Sequence, residues 1–135
     1  MRGFCPLASG SKGNSIYVGS KDTKILIDAG ISKKSVETRL AAMGVDLSEI
    51  AAILITHEHT DHIQGLRSLA VKYNIPILAN LETAKGIVAA LGMCPKFKIF
   101  VTGERFVFRD IEILPFSIPH DTPDPVAFTM QIEGK

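Results

Sequence analysis

Thr56-His57-Glu58-His59-Thr60-Asp61-His62 follows directly on the apolar run Ala51-Ala52-Ile53-Leu54-Ile55, and the join between the two decides how this chain folds. A continuous apolar run bounded by polar residues is the pattern of a strand covered on both faces. Three of the chain's four histidines follow directly on that strand, within six residues and with an acid between them. In extended chain, residues i, i+2 and i+4 share a side, so His57, His59 and Asp61 can converge, while a helical turn starting near Thr60 or Asp61 re-aims His62. Neutral imidazoles beside a carboxylate suit Zn²⁺ and are acceptable to Mn²⁺ or Fe. A lone histidine is usually hydrogen-bonded to backbone and structural, but the spacing H-x-H-x-D-H after a hydrophobic strand is a metal-ligand pattern. Glu58 points away from His57 and His59 on an extended segment and reads as structural.

Upstream, residues 4–8, 15–19 and 24–28 read as short strands, separated by Ser9-Gly10-Ser11-Lys12-Gly13-Asn14 and by Ser20-Lys21-Asp22-Thr23. Asp28-Ala29-Gly30 reads as a strand ending in a turn with Gly30 left-handed. Ser32 caps a helix with Val36, Leu40 and Met43 on its apolar face, stopped by Gly44. Downstream, the helix begun near residue 60 carries Ile63, Leu66, Ala70 and Tyr73 inward, and residues 76–79 form a strand. Asn80 caps a further helix through Ala84, Ile87, Val88 and Leu91, ended by Gly92. After Pro95 the pattern turns to strands at 97–101, 105–108, 111–118 and 126–132, and His120 lies at the end of one of them. Strands outside and βα alternation inside argue an α/β fold in which helices cover one face of a sheet.

The chain has 135 residues, 46% of them hydrophobic, enough for one compact domain and too few for two. Fifteen basic residues against 14 acidic ones leave a net charge of +1, which excludes a strongly basic nucleic-acid coat and an acidic disordered tail. No apolar run approaches the roughly 18 to 20 residues of a membrane span, and the N-terminus leads into no signal-peptide core, so a soluble cytoplasmic protein is expected. Cys5 and Cys94 form no CxxC arrangement and are expected to be buried reduced thiols. Charge is unevenly spread: residues 40–65 and 110–135 each carry −4, and together they hold all four histidines. Carboxylates gathered beside imidazoles suit a cation.

The His57–His62 stretch resembles the hallmark motif of the metallo-β-lactamase superfamily, hydrolases in which two sheets are sandwiched between helices and one or two metals sit at the sheet edge. Leu26-Ile27-Asp28-Ala29-Gly30 resembles that superfamily's earlier motif, whose aspartate supports the metal ligands, and the segment around His120 resembles its third. The resemblance implies one metal held by His57, His59 and His120, and a second site begun by Asp61 and His62, with Asp28 and Asp121 as supports behind the ligands. Narrower still, Leu7-Ala8-Ser9-Gly10-Ser11-Lys12-Gly13-Asn14-Ser15 and His120-Asp121-Thr122-Pro123-Asp124-Pro125-Val126-Ala127-Phe128 are similar to the YycJ/WalJ-type branch, regarded as DNA exonucleases. In that reading Ser9, Ser11 and Asn14 belong to a small-residue loop that approaches a phosphate. Two metals about 3.5 to 4 Å apart make a bound hydroxide the nucleophile, with Asp61 on the second metal orienting it.

The superfamily also needs a later bridging aspartate and a further histidine. Only 15 residues follow His120, none of them histidine. The resemblance therefore implies that residues 1–135 are the N-terminal part of one metallo-β-lactamase-like domain, the first half of an αββα sandwich. A missing C-terminal half or a partner chain would complete the second metal site, and oligomerisation through an unpaired sheet edge is expected. Three functions remain open: a metal-dependent phosphodiesterase or DNA exonuclease, inactive as this part alone; a metallo-hydrolase of a small thioester, lactone or lactam; and a non-catalytic metal-binding half-domain.

Overall fold

The computed structural model describes residues 3–8, 13–56, 63, 65–118 and 126–132. Six strands form one sheet in the order β1 (Gly3–Ala8), β2 (Ser15–Gly19), β3 (Lys24–Ile27), β4 (Ile50–Leu54), β5 (Ile77–Ala79) and β6 (Phe97–Ile99). The pairs β1–β2 and β2–β3 are antiparallel; from β3 to β6 the strands run parallel. A second sheet is an antiparallel meander of β7 (Phe106–Phe108), β8 (Ile111–Ser117) and β9 (Val126–Ile132). Parallel neighbours need crossovers, and helical segments run in all three: α1 (Lys33–Ala41) between β3 and β4, the π-helical Arg67–Lys72 between β4 and β5, and α2 (Leu81–Leu91) between β5 and β6.

Each helix begins where its cap predicts. Ser32 Oγ accepts from the Ser35 amide at 3.2 Å, and Asn80 Oδ1 accepts from the Thr83 amide at 2.8 Å, each satisfying one orphan donor of a first turn. Val36 and Leu40 are buried, with Met43 packed beside them, while α2 buries Ala84 and Ile87 and is followed by Gly92 at φ 71°.

The pleat of the central strands divides the interior into two cores. Leu26, Ile53, Ile55 and Ile77 face the helices, packing with Leu40, Leu66, Leu69 and Ile87. Ile25, Ala52, Leu54 and Leu78 face the second sheet, packing with Phe108, Ile111, Ile113 and Val126. Ile53 and Leu54 are adjacent and wholly buried on opposite faces, so the apolar run does form a strand covered on both sides. Burying each such side chain stabilises the fold by about 1.5–3 kcal/mol. The helices thus cover one face, as the alternation implied, and the second sheet covers the other. The layering is α/β/β.

Three local expectations are corrected. Tyr73 is 48% exposed instead of facing inward. Residues Arg67–Lys72 are π-helical, with more residues per turn than an α-helix, so the 3.6-residue stripe through Ile63, Leu66 and Ala70 has rotated away by position 73. The Tyr73 ring lies instead under Lys33 Nζ, 5.0 Å from its centroid. Second, the left-handed residue after β3 is Asp28 (φ 64°) and not Gly30; aspartate, with its short side chain, enters that region more readily than most residues. Third, both cysteines are free, but Cys94 is exposed and Cys5 only half-buried against the helix-side core. No helix among the described residues is long and apolar enough to cross a membrane.

Candidate metal centre

In parallel sheets, ligands gather beyond the carboxyl ends of the strands. Here Asp28 stands one residue past β3 and Thr56 two residues past β4, on neighbouring parallel strands. Asp28 is buried, 4% exposed. Its Oδ1 accepts from the Thr56 amide and its Oδ2 from the Thr56 hydroxyl, both at 2.8 Å. The backbone of Asp28 is held too: its amide donates to the Leu54 carbonyl at 2.6 Å, and its carbonyl accepts from Ser15 Oγ at 2.9 Å. One residue therefore ties together β2, β3 and β4 immediately before His57.

The segments carrying the other motifs return to the same place. Val126 donates its amide to the Thr56 carbonyl at 2.9 Å. Val126 also pairs with Ser117, so both strands that flank the His120 motif end beside Thr56. The Gly30 amide donates to the Asn14 carbonyl at 2.8 Å, bringing the end of the Ser/Gly loop to the turn after Asp28. The Gly65 amide donates to the Ala29 carbonyl at 2.6 Å, so the chain leaving the histidine stretch docks on that turn as well.

Among the residues expected to act, Asp28 and Asn14 are described, and the Asn14 carbonyl meets the turn after Asp28 through one hydrogen bond, from the Gly30 amide. His57, His59, Asp61, His62, His120, Asp121, Ser9 and Ser11 lie outside the described residues, as does Glu58. Among the described residues no group of three or more His, Cys, Asp or Glu forms a second candidate metal cluster. Thr56 and Gly65 carry no sequence signal of their own beyond adjacency to the histidines, and their roles emerge only from Asp28 and Ala29, far away in sequence.

At the far side of the sheet lies a carboxylate with displaced titration, Asp110. Ser20 Oγ donates to Asp110 Oδ2 at 2.6 Å, joining the β2–β3 turn to the β7–β8 turn, and holds that carboxyl below the usual range, with help from the Asp22 amide at 3.3 Å. This latch fixes the second sheet on the first, at the amino end of β3.

Residues 8–134 match the family model described as the metallo-beta-lactamase superfamily. The chain belongs to the metallo-β-lactamase superfamily. It is 41% identical over 128 residues to a Bacillus anthracis protein named exodeoxyribonuclease YycJ, covering 93% of this chain and 48% of that protein. It is 38% identical over 133 residues to the exodeoxyribonuclease WalJ of Streptococcus pneumoniae, covering 96% of this chain and 49% of that one. The chain thus spans about half the length of the curated relatives it matches. Among solved structures, a B3 metallo-β-lactamase with an active-site glutamic acid superposes with a TM-score of 0.83 at 17% identity, covering 99% of this chain and 56% of the other. The Rm3 metallo-β-lactamase gives 0.79 at 24% identity, covering 97% and 54%. Both confirm the two-sheet α/β fold, and at those identities they speak of the fold alone.

Proposed function

We propose that this superfamily hydrolase chain is the N-terminal part of a metal-dependent phosphodiesterase, an exonuclease acting on DNA. The observation that carries the reading is the 41% identity, across nearly the whole chain, to a protein named as an exodeoxyribonuclease. The donor chemistry fits divalent metals: four borderline imidazoles and a harder carboxylate oxygen suit Zn²⁺ most, with Mn²⁺ or Fe acceptable. His57, His59 and His120 would hold one ion, and Asp61 with His62 would begin the site of a second. Such ions, when bound, supply Lewis acidity to phosphoryl oxygens and bring a water's pKa toward neutrality.

The chain's own residues do the positioning. Asp28, through Thr56, fixes where the histidine stretch starts. Asp61 accepts a hydrogen bond from the attacking water at its carboxylate and orients it, and Asp121 supports a ligand from behind. Ser9, Ser11 and the Asn14 amide donate to a phosphate of the substrate. The rest of the second site would come from a C-terminal half or a partner chain, and a cytoplasmic setting with access to DNA follows from this reading.

A second reading, hydrolysis of a small thioester or related ester, draws support from 30% identity over 118 residues to a probable hydroxyacylglutathione hydrolase of Encephalitozoon cuniculi, of which the chain covers 42%. The two readings separate in one assay. Metal content and hydrolysis of 5′-phosphorylated DNA and of a thioester are measured for this chain and for a protein of the relatives' length containing it. DNA digestion by the longer protein is expected; intact DNA with rapid thioester cleavage would sink the nuclease reading.

A further inference from the structure

Thr56 and Gly65 bracket the histidine stretch, and both are anchored on the same four residues, Asp28–Ile31: Thr56 by the Asp28 carboxylate, Gly65 by the Ala29 carbonyl. The same turn receives Gly13 from the Ser/Gly loop, beside the Gly30–Asn14 bond. Both glycines approach it more closely than any side chain permits. A Cβ on Gly65 would stand 2.2 Å from the Ile31 carbonyl oxygen and 3.3 Å from that of Ala29. A Cβ on Gly13 would stand 2.5 Å from the Gly30 carbonyl oxygen and 2.8 Å from Ile31 Cγ2. Most of these neighbours are backbone, in a turn held by the Ala29 carbonyl and the Gly30 amide, and cannot swing aside as a flexible side chain does. A single methyl group at either position must therefore push two chain segments apart by about 1 Å to restore ordinary van der Waals contact.

We propose that Gly13 and Gly65 are positioning residues for the metal ligands: packed backbone against backbone on the Ala29–Ile31 turn, and with Thr56 held by Asp28, they fix the described residues from which the histidine stretch starts and ends and at which the Ser/Gly loop ends. Neither residue contributes a ligand atom. Gly13 lies more than forty positions before the first histidine of the stretch, so an effect of Gly13 on metal binding must travel through the turn. The proposal rests on the metal reading above and reaches beyond it to which residues set the geometry of the site.

The test uses Co²⁺ as a spectroscopic probe on the chain, with wild type, Gly13→Ala, Gly65→Ala and, as a stability control, Leu40→Ala in the helix-side core. Supporting residues of metal ligands typically contribute 10- to 100-fold in affinity. The expected result is a Co²⁺ affinity weakened by about that factor in both glycine variants, with a shifted visible absorption band, while Leu40→Ala lowers Tm and leaves the band in place. Glycine variants that bind Co²⁺ with wild-type affinity and spectrum would overturn the proposal. A wild-type chain that takes up no Co²⁺ would instead sink the metal reading, and the proposal with it. Should Gly65→Ala fail to fold, Gly13→Ala alone decides, with faster exchange of the Gly30 and Gly65 amides expected before metal is added.

Discussion

Asp28 grips Thr56 twice, through the amide and through the hydroxyl, each at 2.8 Å. An ionised carboxylate that accepts two converging donors forms bonds about twice as strong as neutral ones. Both partners stand at the ends of parallel strands, so the contact joins β3 to β4 at the point where the sheet hands the chain over to the histidines. The left-handed backbone of Asp28 (φ 64°) aims its side chain across that gap.

Removing the carboxylate should therefore damage metal binding and stability together. Asp28→Ala deprives the Thr56 amide of its acceptor, a loss of about 1–3 kcal/mol, and places alanine in a left-handed conformation it disfavours by about 1 kcal/mol or more. Thr56→Val keeps the amide bond and removes only the hydroxyl, so a smaller loss of about 1–2 kcal/mol is expected. Urea denaturation orders the variants, and Zn²⁺ titration is expected to follow the same order. A Thr56→Val chain as damaged as Asp28→Ala would show that the hydroxyl, not the amide, is the main anchor.

The adjacent pair Ile53 and Leu54 tests the two-core architecture. Each is wholly buried, Ile53 in the helix-side core and Leu54 between the sheets. Truncation of either to alanine should cost about 2–5 kcal/mol, since cavity and transfer terms add in both places. A strand with one solvated face would lose stability at only one of the two positions. Denaturation midpoints of the two single variants, at unchanged m-value, decide between these.

Acid should unlatch the second sheet. Ser20 holds the Asp110 carboxyl below its ordinary value, so the folded state prefers the charged form more than the unfolded chain does. A group depressed in this way contributes stability that is present in full above the unfolded pKa, about 3.9, and is lost as pH falls through the folded one. The wild-type chain should therefore lose stability more steeply below about pH 4 than Asp110→Asn. Asp46 and Glu49 are also depressed, Asp46 by the Ser48 amide and Glu49 by the Asp46 amide, and titrate in the same window, so the comparison is made against the variant and not against a flat baseline. Parallel curves from pH 6 to pH 3 would mean that the latch does not contribute.

Features encoded over a few neighbouring residues were legible in the sequence. The apolar run through Ile53 and Leu54 shows a two-sided strand, and the caps Ser32 and Asn80 sit at the starts of the two helices. What escaped depends on contacts between distant segments. The partnership of Asp28 with Thr56 spans 28 positions, and nothing local to Thr56 signals it. The turn after β3 invited a left-handed Gly30, but the grip on Thr56 puts that conformation on Asp28 instead. Tyr73 fitted an α-helical stripe that π-helical winding displaced. Of the candidate site, the sequence offers candidate ligands, and the structure adds the contacts of the residues that flank them in the chain, Thr56, Gly65 and Val126.

The assignment of ligands to two ions makes a distinction that single substitutions can expose. His120 is assigned to the first ion together with His57 and His59, whereas Asp61 is assigned to the second. Loss of one of three protein ligands opens a tetrahedral site without emptying the other position. In a protein of the relatives' length loaded with Zn²⁺, His120→Ala should weaken the tighter-held ion, and Asp61→Ala should mainly release the weaker one, leaving about one equivalent bound. Metal analysis after dialysis against graded chelator reads both quantities. Equal loss of both ions from either variant would mean that the two sites share these ligands, and that the hydroxyl and amide held by Asp28 anchor one undivided centre.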